Sequence, residues 1–248
     1  MGTVPAVSRK LASRQDRVFV VTCEHAGNDV PMAYSSVFAS PQAQKLLSSH
    51  RGYDPGAVAA ARQIADRLGC DLDSCQVTRL LVDLNRSIEN PELLSKFSRR
   101  LPASQQQQVL QQYYYPYRNR VRDTIAAAIS VGSLLVHLSV HTFTPRMKGN
   151  WRPIDVGLLF DPSRPGETNF CESWRLGMLK VRPRLRVVNN QPYAGTDDGF
   201  TTALRRQFCE SEYFGIEIEI SNRFFKRDPI QQHSIVASLL DQIPSDGR

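Results

Sequence analysis

The chain has 248 residues, 41% of them apolar and 22% charged, with a formal net charge of +7. That length and balance suit one α/β domain with a sizeable core and exclude a disordered or fibrous chain. The lysines and arginines are scattered among acids with only short clusters, and the cluster from Lys180 to Arg186 interleaves proline and aliphatics in place of aromatics, so the surplus charge suits small anions better than a nucleic-acid groove.

Residues 1–16 are polar and are expected to form a flexible N-terminal arm, with 17–248 as one domain. Val18 to Val21 is an apolar, β-branched run that reads as a buried strand and stops at Cys23, Glu24, His25, Gly27 and Asn28. A short helix is expected between Ser40 and His50, then a turn through Asp54-Pro55-Gly56. Ala57 to Leu68 is an Ala-rich helix closed by Gly69. Ser74 to Leu84 reads as a second strand ending in Asn85-Arg86-Ser87, and a helical hairpin is expected from Asn90 through Ile129, its tyrosines lining core or cleft.

Leu134 to Phe143 alternates as a strand with His137, Ser139 and His141 on one face, ended by Pro145. Asp155 to Phe160 and Leu185 to Asn189 are further strands, separated by a helix over Glu172 to Leu179. A helix over Thr201 to Phe208 precedes the strand Phe214 to Ile220, which turns Glu217 and Glu219 to one face, and Pro229 to Ile243 closes the chain as a helix. Strands and helices alternate throughout. The expected fold is therefore a single α/β domain, a mostly parallel mixed sheet with helices on both faces.

Five cysteines at irregular spacing form neither a CxxC pair nor an even disulfide framework, which fits a reducing cytoplasm. No uncharged apolar run reaches the ~18 residues of a membrane span, and the first residues lack the apolar centre of a signal peptide. A cytoplasmic protein with no membrane or nucleic-acid partner is expected, its oligomeric state open.

Three strands end in or run into groups able to bind a metal: His25, His141 and Glu219. Two histidines and a carboxylate with an open position are a common ligand set of hydrolytic zinc, although no HExxH spacing is present. The competing reading gives these residues structural turn and hydrogen-bonding roles. Cys23 as a nucleophile with His25 as its base is disfavoured, because residues two apart on a strand are held ~6–7 Å apart. His137 is roughly 13 Å along its strand from His141, too far to share an ion. His50 and His233 are expected at the surface.

The segments CEHAGNDVP, YDPGA, TRLLVDLNRS, LSVHTFTP, DVGLLFDP, NQPYAG and GIEIEISNRFF, in that order, resemble the N-formylglutamate amidohydrolase family over residues 18 to about 225. The resemblance implies a phosphorylase/hydrolase-like fold, distantly similar to zinc carboxypeptidases, and hydrolysis of a small anionic N-acyl amino acid. It implies one Zn2+ held by His25 and His141, with Asp54 as third ligand and Glu24 as the alternative. Asn28 stands where the carboxypeptidases have a ligand Glu. The same resemblance makes Glu219, ahead of Glu217, the general base and Asn85 with Arg86 the clamp for a substrate carboxylate. Arg79 either assists that clamp or pairs with Asp83. Ser221 stands where relatives often have an arginine, and Tyr193 and Gly195 serve either the pocket or a turn. The alternatives are a carboxypeptidase-like activity on peptide ends and a non-catalytic module binding anions.

Overall fold

The structure, a computed structural model, describes residues 17–225 and 229–244, the last stretch with side chains from Ser234 onward. The expected arm, residues 1–16, and the side chain of His233 lie outside the described residues. Strand β1 (Arg17–Cys23) is the apolar run read from the sequence, and it lies between β2 (Leu72–Ser74) and β3 (Leu134–Phe143), parallel to both. A small hairpin follows β3, formed by β4 (Arg146–Met147) and β5 (Asn150–Trp151), whose turn residues Lys148 and Gly149 have positive φ. Strand β6 (Val156–Leu159) pairs in parallel with β7 (Val187–Asn189), and β6 is antiparallel to the last strand, β8 (Tyr213–Ser221). β8 joins β3 in parallel, so the sheet order is β2-β1-β3-β8-β6-β7.

Alternation along the strands gives each face its own core. Val21, Val136, Leu138, Ile216 and Ile218 face α2 (Ala57–Leu68), α5 (Pro165–Val181) and α7 (Pro229–Leu240). Val20, Leu135 and Tyr213 point the other way, beneath α1 (Pro41–Leu47), α3 (Ala103–Val109), α4 (Tyr115–Ser130) and α6 (Phe200–Arg205). A mixed sheet covered by helices on both faces is what the alternating pattern requires. Among the described residues, no helix is long and apolar enough to cross a membrane.

Two expectations are corrected. The strand expected over Ser74 to Leu84 ends at Ser74, and only Val77 makes a further isolated bridge, to Asp29. Its backbone donors go to the last residue of β1 and then to loops: Cys75 to the Cys23 carbonyl, Thr78 to that of Asp29 and Arg79 to that of Gly52. Leu80, Leu81, Val82 and Leu84 are buried under the helical layer without strand geometry, so an apolar run here marks burial and not a ladder. The expected helical hairpin is instead one continuous helical run, α3 passing through a π-helical segment (Leu110–Tyr114) into α4. Pro116 has no N–H to give and its ring crowds the carbonyl four residues back. The wide turn just before it, closed by the Tyr115 N–H on the Leu110 carbonyl, accommodates that ring without breaking the helix.

Candidate metal centre and substrate cavity

Odd and even positions of β1, β3 and β8 put a column of polar groups on the α3–α4 side of the sheet, rising toward the carboxyl ends of the strands. At the base of the column His137 is wedged between Thr22 Oγ1 and Tyr213 Oη, each 2.8 Å from a ring nitrogen. Burial pushes its pKa down to about 4, with the nearby charges of Arg205 and His141 acting in the same direction against the pull of Glu24. His137 is thus a neutral structural histidine, apart from the chemistry above it.

At the top, His25, Asp54 and His141 come together from the loop after β1, the loop before α2 and the end of β3, with a ligand atom of each within 4.8 Å of the others. Asp54 Oδ2 lies 3.2 Å from His25 Nδ1 and 3.0 Å from His141 Nδ1. Tetrahedral zinc with ligands at ~2.0–2.2 Å spaces its donors ~3.3 Å apart, which the two distances to Asp54 match. The backbone places Asp54 there: its N–H bonds to the His25 carbonyl, and the left-handed Gly56 then starts α2.

Each imidazole is gripped from behind. His25 Nε2 lies 2.7 Å from Asp83 Oδ1, and His141 Nε2 lies 2.9 Å from Ser139 Oγ and 3.3 Å from Glu24 Oε2. Ser139 donates to Glu24 at 2.7 Å, and Tyr117 donates to the other Glu24 oxygen at 3.1 Å. With Nε2 donating on both rings, both Nδ1 lone pairs aim at the shared point beside Asp54, the arrangement by which outer carboxylates fix metal-binding tautomers. Glu24 is therefore placed behind His141, not beside Asp54.

The electrostatics agree. Burial alone would raise the pKa of Asp54, Asp83 and Glu24, but the histidines, and for both aspartates the Arg79 guanidinium, outweigh it and hold all three carboxylates well below their usual range. Arg79 bonds Asp83 through Nε at 3.1 Å and Nη2 at 2.6 Å, and reaches Asp54 at 3.4 Å. The pairing with Asp83 is thus present, and Arg79 is spent on the acids of this cluster.

Glu219 stands across the register from His141, and its Oε2 is buried with no hydrogen-bond partner among the described residues. Burial raises its pKa to about 8; Asp54 and Glu217 add to the rise, while His141 and Arg79 oppose it. Its neighbour on the same face, Glu217, accepts a bond from Thr201 Oγ1 at 2.9 Å and is already engaged. Of the two acids on this strand face, Glu219 is the one left to meet a ligand.

His25, Asp54, His141, Glu219, Asn85 and Arg86 all line one cavity of about 590 Å3. Asn85 Oδ1 accepts the Phe200 N–H at 2.6 Å, so only its amide nitrogen remains for a ligand. Arg86 donates to the Asp198 carbonyl at 2.7 Å and has no carboxylate partner among the described residues. Other residues singled out in the sequence fall elsewhere. Cys23 is buried in the opposite core, where burial pushes its thiol pKa up. Asn28 donates to the Leu47 carbonyl, and a Cβ on Gly195 would meet the Phe160 backbone at 2.1 Å, so that glycine permits close packing of two chain segments. Ser221 is fully buried. His50 is exposed and lines the same cavity. The outer carboxylate Asp83 was readable in sequence only as a partner of Arg79; nothing in its spacing points to His25.

A strand-edge cluster of two histidines and an aspartate, in a parallel-type α/β sheet beside a buried unpartnered glutamate, defines a candidate metal-site protein of the hydrolase-like fold. The family model for N-formylglutamate amidohydrolase matches residues 17–225, and the chain belongs to that family. The crystal structure of a gene product from Agrobacterium tumefaciens is similar with a TM-score of 0.77 and 27% identity, covering 93% of this chain and 89% of the other. An N-formylglutamate amidohydrolase from Ralstonia eutropha shares the fold at 17% identity with a TM-score of 0.67, over 92% and 93% of the two chains. Among curated proteins no match is found.

Proposed function

We propose that this chain is a zinc-dependent amidohydrolase that cleaves the amide bond of a small N-acyl, N-formyl-type acidic amino acid. The observation that carries this reading is the pairing of the His25–Asp54–His141 cluster with the buried, unpartnered Glu219 in one cavity. His25 Nδ1, His141 Nδ1 and one oxygen of Asp54 would hold the ion. When bound, zinc supplies Lewis acidity, which lowers the pKa of water to roughly 7 and polarises an amide carbonyl.

The chain's own residues do the rest. Glu219 takes a proton from the attacking water and returns it to the leaving amine nitrogen. Its Oε2 is buried with no partner among the described residues, so the carboxylate is free to take that proton and to give it back. The Arg86 guanidinium, anchored through one nitrogen on the Asp198 carbonyl, offers its remaining N–H groups to a substrate carboxylate, and the Asn85 amide donates beside it. Asp83 and Glu24 keep both imidazoles oriented.

The test combines metal content with turnover. Stoichiometric zinc in the purified protein, lost in His25→Ala and His141→Ala, is expected, as is formate release from N-formylglutamate that falls by roughly 10²–10⁴-fold in Glu219→Gln. Zinc retained in both histidine variants removes the site. Short peptides cleaved in preference to N-formyl acids would move the assignment to a carboxypeptidase-like reaction.

A further inference from the structure

Arg152 follows β5 and is half-buried in the wall of the same cavity. Its side chain is held in place on three sides: Nε donates to the Thr144 carbonyl at 3.1 Å, Nη2 to Thr144 Oγ1 at 3.1 Å and Nη1 to Tyr193 Oη at 3.2 Å. The guanidinium carbon also stands 5.1 Å from the Phe143 ring centre and 5.6 Å from that of Tyr193. Thr144 and Phe143 continue the strand that carries His141, so the guanidinium is referenced to the metal cluster through only a few residues of backbone.

All its partners are neutral. Each nitrogen is used once, no carboxylate pairs with it among the described residues, and the second proton of each terminal nitrogen is uncommitted. Arg79, in the wall of the same cavity, spends its charge on Asp83 and Asp54, whereas Arg152 keeps its charge for the cavity. Arg51, Lys96 and Arg99, which also line the cavity, are solvent-exposed side chains with no such mounting. A rigidly mounted, partly desolvated and unneutralised fork is built to receive a carboxylate brought by a ligand.

We propose that Arg152 is a specificity-determining residue, whose guanidinium binds a second carboxylate of the substrate while Arg86 binds the first. This rests on the amidohydrolase reading above for its reaction, but not for its binding. The substrate class it selects is an N-acyl amino acid with an acidic side chain over the uncharged isostere. Tyr193, by fixing Nη1 and covering the guanidinium plane, positions the fork.

The zinc-loaded protein and its Arg152→Met and Arg152→Lys variants are compared on N-formylglutamate and N-formylglutamine, and by calorimetry on glutarate and its monoamide. A preference for the acid in the wild type that falls by roughly 10–100-fold in Arg152→Met, through KM and with kcat nearly kept, is expected. Arg152→Lys keeps the charge without the fork and should fall between the two. Glutarate should bind more weakly to Arg152→Met, with its monoamide unaffected. An equal loss on acid and amide in both variants overturns the proposal, as does unchanged glutarate binding. If the wild type hydrolyses neither compound, the reaction assignment fails on its own, and glutarate binding still decides the role of Arg152.

Discussion

His25 and Asp83, 58 positions apart in the chain, meet with Nε2 and Oδ1 separated by 2.7 Å, and the far side of the same ring faces Asp54. Asp83 therefore sets which nitrogen of His25 is free. Asp83→Asn should weaken zinc affinity by roughly 10–100-fold, as measured by competition with a chromophoric chelator, while the far-UV circular dichroism stays the same. Wild-type affinity in that variant would mean that the ring is held by something other than Asp83.

His137 makes stability depend on pH. Its pKa drops from an unfolded value of roughly 6.5 to about 4 in the fold, so the unfolded chain binds the proton first as pH falls. Its contribution is complete above about pH 6.5 and disappears progressively toward pH 4, a difference of about 3 kcal/mol. The carboxylates with lowered pKa act below that window, and His141, raised by Asp54 and Glu24 against its burial, acts with the opposite sign above it. Urea unfolding at several pH values should show a steep slope between pH 4 and 6.5 in the wild type and a shallower one in His137→Gln. Parallel slopes would refute the assignment.

Gly56 has φ +91°, and a Cβ there would stand 2.2 Å from Phe225 Cγ. Gly56→Ala combines left-handed strain, about 1–2 kcal/mol, with displacement of an aromatic ring. Because Asp54 lies two residues earlier, both the unfolding temperature and zinc affinity should fall together. A stability loss with intact zinc binding would show that the Asp54 loop is insulated from the start of α2.

Trp174 provides the contrasting case. It is fully buried on α5, and its indole N–H donates to the Leu239 carbonyl of α7 at 2.8 Å. Trp174→Ala should cost about 3–5 kcal/mol in chemical denaturation yet leave zinc content and KM unchanged under native conditions. A changed KM would link the two faces of the sheet.

The sequence showed the elements whose burial pattern has a strict period. β1, β3, β8 and α2 were legible because alternation and an Ala-rich stripe ended by Gly69 leave little choice. The run from Cys75 to Leu84 has the alternation of a strand without its ladder, because the N–H groups of Cys75, Thr78 and Arg79 go to the Cys23, Asp29 and Gly52 carbonyls. The continuity of α3 and α4 was hidden because a proline ordinarily breaks a helix, and only the π turn ahead of Pro116 lets it pass. His25, His141 and Glu219 were visible as polar residues at strand ends, and the YDPGA segment pointed to Asp54. Asp83 behind His25 and the mounting of Arg152 depend on loops crossing over one another, which no local period records.

Because β6 runs against β3 and β8, the chain leaving β3 need not return to the opposite end of the sheet before it re-enters; the span from Thr144 to Asp155, with β4 and β5, stays at the rim of the cavity. That rim segment is anchored at both ends by strands yet belongs to no layer of the domain. A change in its length would therefore reshape the mouth of the cavity while leaving β3 and β8, and the side chains they carry, where they stand.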